Sequence, residues 1–429
     1  MITNRSAGGD PARGFEYLYY GDYIAAGTPL KALGLPEPAD DDTATLNAFK
    51  KTIGPTQNVF RDANGVWVVS GSCFTCHAIV RDGKLEPGLG NPFADWSQKN
   101  TTNFEEKRAK IAEFLGESSI EYQSFFESWR YQKAFVPKIV AECAGLNPAF
   151  RIEEAAAAFR YPDLTYSEKS VLAIKDTLPV PVSDIPPLWN VKKKKRLYYN
   201  GQGTGDFRKL LMQAGMIGIR DTIEAKKIWQ KFADVAAWIE SLQAPKWPYV
   251  IDQELAEVGK DYFERECRKC HGSYGWDGEY PNKIIPLKRI ETDPYYAEYW
   301  KTMSEFPKWF NQSWFGLSEP SAQLMPEEGY VAPPLDGVWA SAPYFHNGSV
   351  PNLAAALNSS LRPKLWDRDL QHPEYDSIRV GWQYEKIAEP RGSSTYDTRR
   401  RGYSNQGHTF GDGLSEEERR AILEYLKTL

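Results

Sequence analysis

Cys73-Phe74-Thr75-Cys76-His77 and Cys267-Arg268-Lys269-Cys270-His271 are two copies of a Cys-x-x-Cys-His pentapeptide, and they decide the fold of this 429-residue chain. On a helical turn, positions i, i+3 and i+4 share one face. Both thiols of a copy can therefore form thioethers with the two vinyl groups of one porphyrin while the histidine reaches the iron. This pattern is the attachment motif of c-type haem. It predicts two covalently bound haem c groups, with His77 and His271 as proximal ligands.

Other uses of the same cysteines fit less well. A four-cysteine zinc site needs paired Cys-x-x-Cys knuckles, but the two motifs lie 194 residues apart and each is followed by histidine. A thioredoxin-like redox pair needs a βαβ context, which the flanking sequence does not indicate. The fifth cysteine, Cys143, stands among apolar residues and is expected to be a buried small hydrophobe.

Composition narrows the class of protein further. The chain is 41% hydrophobic and 14% aromatic, which suits substantial cores and side chains that surround flat porphyrins. A net charge of −5 gives no indication of a nucleic-acid partner, and no apolar run reaches transmembrane length. Met1–Ser6 shows no secretory signal, although haem attachment is normally completed outside the cytoplasm. We therefore expect a periplasmic or secreted protein whose signal has been removed.

The periodicity of apolar residues predicts a mainly α-helical fold, with two cytochrome c-type haem domains, long loops and little β-structure. Predicted helices are Phe104–Leu115, Ile120–Ala144, Ser167–Thr177, Asp221–Leu242, Glu254–Cys270 and an amphipathic last helix with Ser415 as N-cap and Glu418 three residues on. The Pro-rich segment Gln243–Pro248 marks a domain boundary. The predicted units are an N-terminal extension at residues 1–58 that packs on the haem domains, a first haem domain at 59–245 and a second at 246–429.

An internal repeat relates the two halves. Pro186–Val191 aligns without gaps on Pro333–Val338, and at the same offset of 147 residues Tyr198-Tyr199-Asn200-Gly201 falls on Phe345-His346-Asn347-Gly348. Self-similarity of this kind indicates one supersecondary unit used twice. Tyr199 and His346 are therefore predicted to occupy equivalent places.

A family resemblance follows from these motifs. Ala342-Pro343-Tyr344-Phe345-His346-Asn347-Gly348 resembles the signature shared by bacterial di-haem cytochrome c peroxidases and MauG. Further segments resemble the rubber-oxygenase branch of this superfamily, which includes related fatty-acid dioxygenases: Phe15–Tyr23, Lys192–Gly205, Asn311–Gly316, Pro333–Leu353 and Gly407–Gly411. The peroxidases and MauG carry a Met or Tyr ligand where this chain has Asn358-Ser359-Ser360. The resemblance is therefore closer to the rubber oxygenases, although this chain is shorter than they are.

For the second haem, the resemblance implies a closed iron with two histidine ligands. In the rubber oxygenases the distal histidine comes from near the C-terminus, and His408 in the Gly-rich loop Gly407–Gly413 matches it. The alternatives are that His408 is an exposed loop histidine, or that His346 takes its place as ligand. His372 is expected to face solvent.

For the first haem, the resemblance places Tyr199 over the iron. A tyrosine there would donate a hydrogen bond to bound oxygen or ligate the iron as phenolate; core packing is the alternative. Met212 and Met216 are further candidate ligands, although methionine on an apolar stripe is more often part of a core.

Three other features remain open. The basic run Lys192–Arg196 is either a solvated face or contributes partners for haem propionates. Trp189 and Trp339 either line the gap between the haems or pack in the core. Related enzymes often hold Ca²⁺ between the domains, but no calcium-loop spacing is recognisable here.

Together these features predict a haem-dependent oxidoreductase. Its N-terminal haem, with His77 and Tyr199 as catalytic residues, is expected to activate O₂ or peroxide for oxidation of a small organic molecule, with an apolar one as a candidate. Its C-terminal bis-His haem is expected to act as redox partner. A first alternative is a di-haem cytochrome c peroxidase that reduces H₂O₂ with electrons from a small redox protein. A second is a non-enzymatic electron carrier, which requires both irons to be six-coordinate.

Overall fold

The computed structural model describes residues 1–5, 8–81 and 83–429. Helices hold 40% of the residues and strands 13%, so the prediction of a mainly α-helical fold is confirmed, with small sheets added. The division into two haem domains stays a prediction. No helix in the described part of the chain has the length and apolar character that a bilayer crossing needs.

Fifteen α-helices occur in the described residues. They are α1 (Pro11–Tyr20), α2 (Thr43–Ile53), α3 (Phe104–Leu115), α4 (Ile120–Phe135), α5 (Ala149–Ala157), α6 (Phe207–Met212), α7 (Thr222–Ser241), α8 (Gln253–Glu266), α9 (Arg268–His271), α10 (Leu287–Ile290), α11 (Tyr295–Glu298), α12 (Phe306–Gln312), α13 (Trp314–Leu317), α14 (Leu353–Leu357) and α15 (Glu416–Lys427). Short 3₁₀ turns lie at Lys31–Leu33, Cys73–Thr75, Val136–Lys138, Leu188–Lys193, Gln213–Ile217, Val338–Ser341 and Ser359–Leu361, and a π turn at Tyr299–Met303.

The strands are short and form sheets of two or three. They are β1 (Ile2–Thr3), β2 (Thr28–Pro29), β3 (Gln57–Arg61), β4 (Trp67–Gly71), β5 (Ala78–Arg81), β6 (Lys84–Pro87), β7 (Gly203–Asp206), β8 (Ile284–Pro286), β9 (Ala322–Leu324), β10 (Gly329–Val331), β11 (Leu365–Asp367), β12 (Tyr375–Asp376), β13 (Gly381–Trp382), β14 (Glu385–Lys386) and β15 (Thr395–Asp397). The sheet orders are β1-β7-β9, β2-β4-β3, β5-β6, β8-β10, β14-β11-β15 and β12-β13. In the first of these, β1 runs parallel to β7 and β9 antiparallel to it.

Several predicted helices are confirmed with their caps. Helix α3 has the predicted bounds, and α7 begins after Asp221, whose carboxylate accepts from two backbone N–H groups of the first turn. Helix α15 begins after Ser415, and Ser415 and Glu418 form the predicted capping box.

Two helix predictions were wrong in extent or in kind. The helix predicted over Ile120–Ala144 ends at Phe135, because Pro137 cannot donate the next backbone hydrogen bond and the chain turns into a 3₁₀ segment. The helix predicted over Ser167–Thr177 is absent from this described stretch. Its serine hydroxyls donate to nearby carbonyls instead, Ser167 to Lys169 and Ser170 to Leu172, and such local bonds compete with helix formation.

Two crossed helix pairs organise the two halves. Helix α8 crosses α15 so closely that a Cβ on Gly259 would lie 1.9 Å from the Ala421 carbonyl oxygen. Helix α1 crosses α7 in the same way, since a Cβ on Gly14 would lie 2.0 Å from the Asp234 carbonyl oxygen. Only glycine permits these approaches. Helix α1, in the predicted N-terminal extension, thus pairs with α7 as α8 pairs with α15.

The hydrophobic cores do not follow the predicted boundary at residue 245. The largest core joins residues of the first half to residues 285–332, among them Tyr296 and Trp300. A second core joins α8 and α15 to residues 338–380, with Phe263 and Ile422 at its centre. Residues between α9 and the second repeat element therefore pack with the first half.

The internal repeat is confirmed in backbone geometry. Tyr198 and Phe345, equivalent by sequence, both have positive φ angles, of 69° and 71°. The glycines that follow, Gly201 and Gly348, have φ of 65° and 64°, and each accepts this left-handed conformation without a Cβ clash against its own backbone. The same turn is thus built twice.

Candidate functional site

Each Cys-x-x-Cys-His motif forms one helical turn. The His77 N–H donates to the Cys73 carbonyl at 2.9 Å, and the His271 N–H donates to the Cys267 carbonyl at 3.0 Å. None of the four motif cysteines forms a disulfide bond within the described residues. In each motif the two thiols and the imidazole consequently share one face, as haem attachment requires.

Each turn faces its own cavity. The first cavity, of about 660 Å³, is lined by Cys73, Cys76 and His77. The second, of about 280 Å³, is lined by Cys267, Cys270 and His271. Both are bordered mainly by apolar side chains and are of a size used for cofactors. The attachment residues and the space in front of them therefore fit one haem c each.

The proximal histidines meet the same element of the repeat. Nδ1 of His271 lies 2.9 Å from the Pro333 carbonyl oxygen, which can only accept, so this nitrogen carries the proton and leaves Nε2 free to ligate. Burial lowers the pKa of His77 to about 4, and the backbone of Pro186, the equivalent of Pro333, lies beside its ring. The His77 Nδ1 atom makes no hydrogen bond of good geometry to a described residue. Both imidazoles are held neutral, the form that ligates iron.

His408 stands opposite His271 in the second cavity. The two ring centres are 6.2 Å apart. A metal–nitrogen bond of about 2 Å and about 1 Å from nitrogen to ring centre on each side give about 6 Å, so one iron fits between the rings. Burial, followed by the neighbouring His271, lowers the pKa of His408 to about 4. The rings of Phe345 and Phe410 flank it, at 5.6 and 5.3 Å.

The loop that carries His408 is fastened by Arg362. Its guanidinium donates to the carbonyls of Asn405, Gly407 and His408, at 2.9, 2.6 and 3.1 Å. It also donates to the Ala355 and Ala356 carbonyls of α14. His408 itself has a φ of 46°, a conformation that costs energy and needs such support. The sequence analysis did not identify Arg362.

His346 is buried and also lines the second cavity. Its ring stacks on Tyr330 with centres 3.9 Å apart, and burial lowers its pKa to about 3. Its Nε2 atom has no hydrogen-bond partner among the described residues. The facing pair of imidazoles in the second cavity is therefore His271 with His408.

Tyr199 belongs to the wall between the cavities. It borders both of them, together with Pro186 and Lys194. Its hydroxyl donates to the Asp184 carboxylate at 3.2 Å, and the Asp184 N–H donates to the His346 carbonyl at 2.7 Å. Burial raises the pKa of Tyr199 and that of Asp184 well above their usual ranges. The sequence resemblance placed Tyr199 over the first haem only, whereas the structure gives it a face toward each cavity.

A polar cluster that the sequence analysis missed lines the first cavity. The Gln213 side-chain amide donates to Glu153 at 3.0 Å and to the Tyr198 hydroxyl at 2.6 Å. Glu153 is buried without a charged partner, and burial raises its pKa to about 8. The next residue, Glu154, bonds to Arg151, Tyr299 and Ser304 instead. Only the fold distinguishes the two glutamates, because their sequence context is the same.

The remaining candidates divide between cavity and core. Met212 lines the first cavity, while Met216 is fully buried and does not. Trp189 and Trp339 line neither cavity; their indole N–H groups donate to the carbonyls of Asp336 and Pro245. Cys143 is buried as expected, and burial raises the pKa of its thiol to about 12.

Calcium between the halves stays a prediction. Within residues 1–5, 8–81 and 83–429, no three His, Cys, Asp or Glu side chains come together as a metal-binding group.

These features fit the class of c-type haem cytochromes. A family model described as RoxA-like, cytochrome c-like matches residues 329–367. The matched segment contains the second repeat element and Arg362. The match shows that this segment is similar to RoxA-like cytochromes, in agreement with the resemblance found in the sequence.

Two curated proteins of Sinorhizobium fredii (strain NBRC 101917 / NGR234) are also similar. Protein y4iJ is 29% identical over 44% of this chain and 41% of its own length, and y4iM is 26% identical over 58% and 64%. The chain thus spans less than two thirds of either relative, and both are described as uncharacterized.

Two solved structures are remotely similar. Hydrazine synthase of Kuenenia stuttgartiensis is 14% identical with a TM-score of 0.27, over 66% of this chain and 87% of that one. A MauG-like protein associated with microbial copper homeostasis is 15% identical with the same TM-score of 0.27, over 66% and 89%. Both TM-scores are too low to establish a common fold.

Proposed function

We propose that the chain is a di-haem oxidoreductase in which the first cavity is the site of substrate oxidation and the second handles electrons. The observation that carries this proposal is the difference between the side chains that line the two cavities. A second imidazole, that of His408, faces His271 at 6.2 Å between ring centres. The first cavity is lined instead by Glu153, Gln213 and Tyr198, together with Met212.

The supply of histidine supports this asymmetry. The chain has five histidines; two are in the motifs, His408 and His346 lie at the second cavity, and the His372 side chain is 90% exposed. No histidine remains for the first cavity. Met212 is the alternative ligand there, and its replacement by leucine tests that role.

Haem supplies two chemistries here: an iron with two strong axial ligands stores or relays electrons, and an iron with an open face binds O₂ or peroxide. The residues of the chain set which of these each cavity supports. His271 and His408 would hold the second haem on both faces, while Cys267 and Cys270 attach it. Cys73, Cys76 and His77 would hold the first haem on one face only.

Cavity volume favours oxidation of an organic molecule at the first site. The two cavities would hold the same prosthetic group, yet their volumes differ more than twofold, at about 660 and 280 Å³. The larger one extends to Leu18, Ile24 and Leu33 and to Phe135 of α4. This additional apolar space suits an apolar co-substrate beside the haem.

The peroxidase alternative is favoured by Glu153. A buried carboxylic acid with a pKa of about 8 is protonated at neutral pH and can donate a proton to a leaving oxygen. Gln213 orients this carboxyl, since its amide bonds to Glu153 and Tyr198 together. Electrons would come from a small redox protein.

Spectroscopy and turnover test the proposal. Electron paramagnetic resonance of the oxidised chain should show one low-spin haem and one haem that is high-spin or binds CO after reduction. Two low-spin haems that are unresponsive to CO and peroxide in every redox state would leave only the electron carrier. Oxygen consumption with an unsaturated hydrocarbon or fatty acid supports the oxygenase, and peroxide-dependent oxidation of a reduced cytochrome supports the peroxidase.

A further inference from the structure

The basic run Lys192–Arg196 is not one solvated face. Three of its five side chains have a hydrogen-bond or ion-pair partner, and a fourth is exposed to solvent. Lys192 donates to the Leu242 carbonyl and to Gln243, Lys193 pairs with Asp336 at 2.7 Å, Arg196 pairs with Glu327 at 2.7 Å, and Lys195 is exposed.

Lys194 is the exception. Lys194 is only 9% exposed. Its ammonium group forms neither an ion pair nor a hydrogen bond with any described residue. It lines both cavities, on the wall that also contains Pro186 and Tyr199. A buried charge without a partner is costly and therefore rare. Burial lowers the pKa of Lys194 to about 8, so the ammonium form persists at neutral pH.

The equivalent position in the second repeat has the same property. Ser341 stands 147 residues after Lys194. It lines the second cavity, and its buried hydroxyl has no hydrogen-bond partner among the described residues. Both repeats thus place an unsatisfied polar group at a cavity wall, just before the turn at Tyr198 and Phe345. Buried polar groups in a native fold are normally hydrogen-bonded, so these two need a partner that the chain itself does not provide.

We propose that the missing partner is a carboxylate and that Lys194 is a carboxylate-binding residue shared by the two cavities. Lys194 pairs with haem propionates from both cavities. Ser341 donates a hydrogen bond to the propionate in the second cavity. The inference rests on the proposed function in that both cavities must hold haem. A propionate is the anionic group that haem brings into such a wall. A positive charge shared in this way favours the reduced form of both irons, because reduction adds negative charge nearby.

Reduction potentials test the inference, with haem content as the first measurement. Lys194→Met keeps the length of the side chain and removes its charge, and Lys195→Met is the matched control, because Lys195 is exposed and lines neither cavity. In a spectroelectrochemical titration of the two-haem chain we expect both midpoint potentials to fall in Lys194→Met, and neither to move in Lys195→Met. Lys194→Arg should keep both near their original values.

The outcomes separate this inference from the proposed function. Fewer than two haems per native chain would refute the proposed function itself. If two haems are bound but Lys194→Met changes the midpoint potential of only one haem, or of neither, Lys194 does not serve both cavities. Should Lys194→Met fail to fold, Ser341→Ala decides: its second-haem potential should fall while the first stays, and no shift at the second haem would refute the carboxylate site.

Discussion

The two cavities share the repeat element and differ in the other side chains that line them. In both, the repeat element brings a proline backbone beside that histidine and then turns at a residue with positive φ. Across the second cavity stands His408, held by Arg362; the first cavity presents Glu153 with Gln213. Under the proposed function, one scaffold carries a closed site and an open one, and a few side chains outside the repeat set the chemistry.

Removal of His408 is the sharpest way to break this comparison. His408→Ala takes away the imidazole that faces His271 at 6.2 Å between ring centres. The low-spin signal of the second haem should disappear completely in electron paramagnetic resonance, and added imidazole should restore it. His372→Ala, at an exposed position, should change nothing. Loss of the signal in His346→Ala but not in His408→Ala would reverse the assignment.

Glu153 tests the first cavity. Glu153→Gln should lower peroxide-dependent turnover by about 10²- to 10⁴-fold, the usual contribution of a positioned proton donor, with haem content unchanged. Turnover of the native chain should fall as pH rises through about 8, because the carboxyl then loses its proton. Gln213, Tyr198 and Tyr296 face this carboxyl, and none of them is charged at that pH. A pH profile that is identical in the variant would remove Glu153 from the mechanism.

Arg362 tests how the second cavity stays closed. Arg362→Ala leaves five carbonyl groups without their donor and should lower the free energy of unfolding by roughly 3 kcal/mol. A high-spin component should appear at the second haem, because the His408 loop is no longer fixed to α14. Arg391→Ala removes a charge from an exposed pair with Glu385 and serves as control. A destabilised variant whose spectrum stays fully low-spin would mean that Arg362 does not position His408.

The smallest effect is expected from substitutions at the two crossed helix pairs, and it tests whether the two halves are built alike. Gly14→Ala and Gly259→Ala each push a methyl group against a carbonyl of the partner helix, and each should cost about 1–3 kcal/mol in thermal or urea unfolding. Gly413→Ala, with nothing within 4 Å of its added methyl group, should be neutral. If Gly14→Ala is also neutral, the α1–α7 pair is not the counterpart of α8–α15.

Local signals in the sequence were sufficient for the attachment residues, for helices α3, α7 and α15, and for the repeat. These features depend on spacing over a few residues or on self-similarity, which a sequence displays directly. The repeat even predicted equal turns, as the matching φ angles of Tyr198 and Phe345 show.

Other features depended on burial by distant segments. Glu153 and Glu154 are neighbours in one helix, yet only Glu153 faces the cavity, because Arg151 and residues of the 299–304 segment satisfy Glu154. Lys194 is one of five consecutive basic residues, and nothing in that run distinguishes it. The pairing of α1 with α7 joins segments more than 200 residues apart, so the sequence analysis placed α1 in an extension. The sequence analysis assigned His408 and Tyr199 as residues that contact haem, and these assignments stay predictions.

The sheet β1-β7-β9 has a consequence for the order of assembly during synthesis. Ile2 is paired with Gly205, and Gly205 with Ala322, so the wall that follows Tyr199 is complete only when three quarters of the chain has been made. Contacts of such long sequence separation form late. Once the fold closes, burial raises the thiol pKa values of Cys73 and Cys76 to about 11 and 12. We therefore expect porphyrin attachment while these thiols are still accessible in the open chain, before the wall closes.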